Sequence, residues 1–461
     1  MTARFPPKLS LALFVTALVV GTSAPAEVSF WQAGLARANI TPQAPIRMAG
    51  FAARQTPSEG VAADLHVKVM ALEDGHGRTS LLITADLIGF SSALAEEICS
   101  QIRRRADIPR ARILLAPSHT HAGPVLGGPR SRESVVSANI SEEQQKVIDA
   151  YTEDLVARIA DAAVAALADL KPARLSWGVG VARFVMNRRE LVPGQGVRLG
   201  VNPQGYVDRS VPVLRVEGLD GRLRALVFGC ACHNTTLSGQ NLQVCGDYAG
   251  FAQEAIERQR SGAQAMFILG CAGDAGPHPK GTMEIAKQHG RDLAAEVCRV
   301  ANGSLRPVRG PLRTELDWVD LPLAPVPSIE RLEQMRKGPP YLVPNATRMI
   351  EALRARKPLP TRYRAPLAVW QFGVDLTLVG VSGEVVSDYV PLIQKAIGSD
   401  RLWIAGYVND YFGYLPSRKV LEEGGYETRG LFEEPGFVAP EVEPVVVNKV
   451  AELAKKAGRK N

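Results

Sequence analysis

His119 and His121 are separated by one residue within Pro117-Ser118-His119-Thr120-His121-Ala122-Gly123-Pro124. Imidazole is the commonest metal-binding side chain and carries protons near neutral pH. The chain holds only 7 histidines, so this spacing is more than a compositional accident. In extended backbone, residues two apart face the same side. The two rings would then look into one pocket, held by the Gly123-Pro124 turn. The plain alternative is a pair of hydrogen-bonded histidines in a polar loop. The chemical reading is one metal ligand with a second, supporting or catalytic imidazole.

Other candidates follow along the chain. His233 comes just after Cys230-Ala231-Cys232, Asp274 sits in the glycine loop 270–277, and Glu384 follows Ser382-Gly383. Tyr411 and Tyr414 lie in a loop dense in polar aromatics. Each follows an apolar run that reads as a buried strand, and loops at strand ends on a rigid sheet are where sites are built. Singly, a glutamate after a strand is more often a cap and a tyrosine more often a core aromatic. Together, two histidines and a carboxylate could hold zinc with one position open for water.

The elements expected to carry these groups intermix. Strands are expected at 33–40, 65–72, 79–85, 113–116, 174–181, 211–216, 223–228, 265–269, 367–373, 376–381 and 401–405. Helices are expected at 91–105, 141–170, 247–260 and 283–300, and from Glu384 to about residue 396. Gly218-Leu219-Asp220-Gly221 marks a hairpin. Asn187-Arg188-Arg189 reads as a loop, 127–139 as a polar flap beside the site, and Asp247 as a helix cap. Residues 307–311 are the best composition break but not a linker. The pattern implies an α/β (mixed α+β) fold, with large mixed β-sheets covered by helices in a single catalytic domain.

Residues 1–26 have the make-up of a cleaved signal peptide: Arg4 and Lys8, an apolar stretch at 11–20, and Ala24-Pro25-Ala26 before Glu27. A retained N-terminal anchor is the alternative. Export to a periplasmic or secreted location is therefore expected, with 27–461 forming the mature domain. The formal net charge of +7 is spread without a basic stripe, which argues against a nucleic-acid partner. The 6 cysteines permit disulfides in an oxidising compartment without fixing any pairing.

Taken in order, Arg37-Ala38-Asn39-Ile40-Thr41-Pro42, Met48-Ala49-Gly50-Phe51, the His119/His121 motif, Asn187-Arg188, His233 with Gly246-Asp247, Gly383-Glu384 and Asn409-Asp410-Tyr411-Phe412-Gly413-Tyr414 resemble the motifs of the neutral/alkaline non-lysosomal ceramidase family. The resemblance spans nearly all of the mature chain. It implies one Zn2+ held by His119, His233, Glu384 and Tyr414. His121 would face the substrate or its oxyanion, and Arg188 would position a polar group of the substrate. Tyr411 is assigned to the substrate, although the sequence does not choose between Tyr411 and Tyr414 for the metal. Two features depart from the family. Gly276 stands where its glycine loop carries a serine, and only 47 residues follow Tyr414, so the C-terminal immunoglobulin-like domain is missing.

The expected activity is hydrolysis of an amide (an N-acyl compound such as a ceramide-like lipid) or an ester by zinc-activated water. Asp274 would orient that water or move its proton. With Gly276 in place of serine, another N-acyl substrate is favoured over ceramide itself. The partner is thus a small-molecule or lipid amide, compatible with peripheral membrane contact. The alternative from a different class is an exported ligand-binding protein that keeps the fold and the zinc without turnover.

Overall fold

The computed structural model describes residues 1–2, 31–128 and 140–460. The expected signal peptide beyond residue 2, and the flap beyond Gly128, lie outside the described residues.

Alternation along the strands builds a four-layer molecule. On His66–Glu73 and Thr79–Ala85, Val67, Val69, Ala71, Leu81 and Ile83 point toward the helices Ser92–Arg105 and Glu142–Ala168. Their neighbours Met70, Leu72 and Leu82 point the other way. There they meet Ala368, Trp370, Leu378 and Trp403 of a second sheet. That sheet's outer face, with Leu367, Val369, Val379 and Val381, is covered by Tyr389–Ile397 and Val442–Lys456. The other half of the first sheet is covered by Asp247–Gln259 and Met283–Asn302. A side-chain period of two lets one strand serve two cores.

The first sheet has 9 strands and mixed pairing. Its order runs Gln264–Leu269, Leu223–Cys230, Ser210–Gly218, Lys171–Val181, Trp31–Asn39, His66–Glu73, Thr79–Ala85, Ile113–Pro117, with Arg306–Val308 added on Lys171–Val181. The second orders Leu312–Pro322, Arg362–Phe372, Leu376–Val381 and Leu402–Ala405. The aromatic loop after Leu402–Ala405 docks on both outer strands of the first sheet. Gly406 N–H donates to Leu269 O at 3.0 Å, and Asn409 N–H donates to Leu115 O at 3.0 Å. Leu115 N–H in turn donates to Asn409 Oδ1 at 3.1 Å. This loop ties the strands that lead to His119 and Asp274.

Several expectations need correction. Asn187, Arg188 and Arg189 are not a loop but lie in the strand Val185–Val192, paired with Gly196–Asn202 and Ala275–Pro277. Polar side chains there are tolerated because Asn187 and Arg189 find buried partners. Glu384 does not open a helix. It starts the two-residue strand Glu384–Val385, and the helix begins at Tyr389. Gly246, not Asp247, is the helix N-cap, while Asp247 adopts φ 50° inside the first turn. The strand Leu312–Pro322 carries little sequence signal, because its charged residues mask a half-buried edge. All six cysteines are free and buried.

Candidate metal centre

The chain turns sharply after Ile113–Pro117. Ser118 N–H donates to Ala85 O and His119 N–H to Leu87 O, both at 2.8 Å. His119 then takes φ 60°, a conformation that L-residues rarely adopt. The expected reason for pairing His119 with His121, a shared face of extended backbone, therefore fails. The turn itself brings their Nε2 atoms to 3.1 Å. His233 arrives from the loop after Leu223–Cys230, its N–H donating to Ala275 O at 3.0 Å. Its Nε2 stands 3.0 Å from His119 Nε2.

Hydrogen bonding on the far side of the rings sets the tautomers. His119 Nδ1 lies 2.6 Å from Ile88 O, and His233 Nδ1 lies 2.9 Å from Ala272 O. A carbonyl only accepts, so both Nδ1 atoms carry the proton and both Nε2 atoms present lone pairs. Glu384 Oε2 joins them at 3.6 Å from His119 Nε2 and 3.4 Å from His233 Nε2. It is buried, with no hydrogen-bond partner among the described residues. Two nitrogen lone pairs and a carboxylate oxygen of buried residues thus face one another, where each unpaired polar group costs about 1–3 kcal/mol. A single proton on Glu384 reaches one nitrogen only; a divalent cation contacts all three. His119, His121 and His233 also offer ligand atoms within 4.8 Å of one another.

Glu384 is held by a short parallel pairing in which its register partner is Tyr414. Gly383 makes the approach with φ 77°, and a Cβ there would stand 2.5 Å from Phe412 Cζ. Gly273 lets the glycine loop reach the same segment, because a Cβ on it would lie 2.6 Å from Glu384 O. Tyr411 and Tyr414 both interact electrostatically with Glu384. Arg188 Nη2 donates to Tyr414 Oη at 2.9 Å, while its Nε reaches Glu427 at 3.1 Å.

The sequence profile described as "Neutral/alkaline non-lysosomal ceramidase, N-terminal" matches residues 31–320. The chain belongs to this ceramidase family. Membership indicates a hydrolase of amide bonds. Two solved structures share its fold. Neutral ceramidase from Pseudomonas aeruginosa is 19% identical with TM-score 0.69, covering 92% of this chain and 74% of that one. A ceramidase complexed with C2 is 18% identical with TM-score 0.71, covering 94% and 76%.

Electrostatics around this family's site follow from burial. Burial drives the His119 imidazole down to about 3, only partly offset by its bond to Ile88. His121 and His233 are pushed well below their ordinary range by burial, and further by His119 and Arg188. The rings are therefore neutral, as metal ligands must be. Burial lifts the Glu384 carboxyl to about 7, against the pull of Arg188 and of the Tyr414 hydroxyl. Burial works against the Arg188 charge, but Tyr414, Glu427 and Glu384 outweigh it and hold Arg188 well above its usual value. His121, Arg188 and Tyr411 are partly exposed, whereas His119, His233, Glu384 and Tyr414 are buried.

Asp274 sits apart from this convergence in its bonding. Its carboxylate accepts Ser387 N–H at 2.6 Å, Ser387 Oγ–H at 3.0 Å and Asn187 Nδ2–H at 3.3 Å. Its carbonyl accepts Arg188 N–H at 2.9 Å. Gly276 is buried, yet a Cβ there would meet no atom within 4 Å. Two further residues belong to the site. Tyr407 places Oη 3.3 Å from His233 Nδ1 and its ring 4.5 Å from that of His119. Glu427, fully buried, accepts from both Arg188 and Arg189. Tyr407 lies in the aromatic loop already noted, but Glu427 has no local sequence signal.

Proposed function

We propose that this chain is an exported zinc-dependent hydrolase of N-acyl amides. The observation that carries the reading is the meeting of His119 Nε2, His233 Nε2 and Glu384 Oε2 without a proton donor between them. Two imidazoles and a carboxylate are a donor set that suits zinc. His119, His233, Glu384 and Tyr414 would hold the ion. When bound, zinc supplies a Lewis acid and a water of lowered pKa.

The chain's own groups do the rest. His121, partly exposed beside the ligands, is suited to stabilise charge on the substrate's carbonyl oxygen. Tyr411 and Arg188 share the open side and would orient the acyl compound. Arg188 also fixes the Tyr414 hydroxyl against Glu384. Asp274, with its oxygens engaged by Ser387 and Asn187, acts on proton traffic only by positioning those segments. With no hydroxyl at Gly276, water is the nucleophile. The leader at residues 1–26 motivates the export reading.

The test is metal analysis of purified protein together with fatty-acid release from a panel of N-acyl amides. About one zinc per chain and release that chelator abolishes are expected. Full zinc with no turnover on any amide or ester would favour the ligand-binding alternative. Absence of zinc after expression and purification in its presence would end the proposal.

A further inference from the structure

Arg54 is 3% exposed, and its Nη1 donates to Ala49 O at 2.8 Å and to His121 O at 2.9 Å. Its Nε and Nη2 are buried without a hydrogen-bond partner among the described residues. No carboxylate of the described residues forms an ion pair with Arg54 or with the neighbouring Arg47, which is itself 8% exposed. Burial and Arg47 lower the Arg54 guanidinium only to about 10, so it keeps its charge at neutral pH. A buried cation beside another cation, with two donors unused, is costly unless an anion completes it.

The unused pair is informative. Nε and Nη2 form the edge of the guanidinium that meets two-oxygen anions side-on. Elsewhere in this chain the same edge is occupied: Arg78 turns Nε and Nη2 to Asp74 at 3.1 and 2.9 Å, and Arg299 turns both to Glu296 at 2.7 Å. In Arg54 that edge stays empty while Nη1 is anchored to the backbone of His121, the partly exposed histidine of the site. Phe51 lies beside both, its ring 5.0 Å from that of His121 and 5.1 Å from Arg54 Cζ.

We propose that Arg54 receives an oxyanion carried by the substrate, a carboxylate or a phosphate, so that the enzyme selects acidic N-acyl compounds over neutral ones. This rests on the amide-hydrolase reading above and names its substrate class. The test uses the zinc-loaded enzyme and three amides of one acyl chain: an N-acylglycine, an N-acylphosphoethanolamine and the neutral N-acylethanolamine. One of the acidic amides should exceed the neutral one in kcat/KM by at least about tenfold, the worth of one charge-assisted hydrogen bond. Which acidic arm leads tells carboxylate from phosphate. Arg54→Gln should collapse that ratio toward unity, and Arg54→Lys should restore part of it.

A wild-type enzyme that hydrolyses the neutral amide as fast as both acidic ones overturns the inference and leaves the amidase reading intact. A ratio in Arg54→Gln within about twofold of wild type overturns it as well. Hydrolysis of none of the three overturns the amidase reading and this inference with it. Should Arg54→Gln fail to fold, the wild-type ratio alone decides.

Discussion

His119 and His233 reach their common point with the other ring nitrogen already committed to a carbonyl. Removing either imidazole takes away one of the lone pairs turned to the common point. His119→Ala or His233→Ala should reduce bound zinc from about one per chain to near zero and lower kcat/KM by at least about a hundredfold. Metal analysis and amide hydrolysis read the two effects, and full zinc retention by both variants would contradict the ligand assignment. The pH response is equally specific. Glu384 rises from an ordinary 4.5 to about 7 on burial, so its neutral form stabilises the metal-free fold at low pH and that contribution is lost as pH climbs through 7. Asp274, lifted to about 6, acts in the same direction. The histidines act oppositely, since their depressed values cost stability as pH falls below about 6.5. Glu384→Gln should therefore make the stability of metal-free protein rise more steeply with pH than wild type's between about pH 4.5 and pH 7, because the carboxyl's opposing contribution is gone. Equal slopes in the two proteins would show that Glu384 does not titrate there.

The short strand Glu384–Val385 owes its place to two glycines rather than to its own two residues. Gly383→Ala would set a Cβ 2.5 Å from Phe412 Cζ at φ 77°. A cost of about 1–3 kcal/mol is expected. Because the strain falls one residue before Glu384, a proposed ligand, zinc affinity should drop along with the urea midpoint. Unchanged affinity in a destabilised variant would separate the strand's stability from its role in aiming Glu384. The strand Val185–Val192 is held differently, through the buried charges of Arg189 and Glu427 at 2.6 Å. Glu427→Ala leaves two arginines without that partner and should cost about 3–5 kcal/mol in urea unfolding. A loss below about 1 kcal/mol would mean that other acceptors replace it. These two elements were the poorly legible ones. Apolar strands such as Ile113–Pro117 and Gln264–Leu269 announce themselves by buried runs. The strands that bear chemistry are polar or only two residues long and are held by partners far along the chain.

Over the whole molecule, stability is expected to be separable from the proposed metal binding. The four large apolar clusters contain none of His119, His233 and Glu384. Stripping metal with dipicolinate should thus abolish hydrolysis while leaving far-UV circular dichroism unchanged at 25 °C. Restoring zinc to about a hundred times its Kd should raise unfolding stability by about 2.7 kcal/mol. Global unfolding on chelation would instead make the ion part of the fold's foundation. Among the described residues, no helix is long and apolar enough to cross a membrane. Composition and period identified mixed sheets covered by helices, because burial of alternating apolar residues is local arithmetic. The ordered motifs identified the family, and the types of the site residues were readable one by one. Tertiary structure decided which of them meet. His119 depends on a left-handed turn, Glu384 on a backbone approach that only glycine permits, and Arg188 on an acid more than two hundred residues away. Contacts of that kind are set by loops docking on a finished sheet, and nothing in the local residue pattern encodes the distance between them.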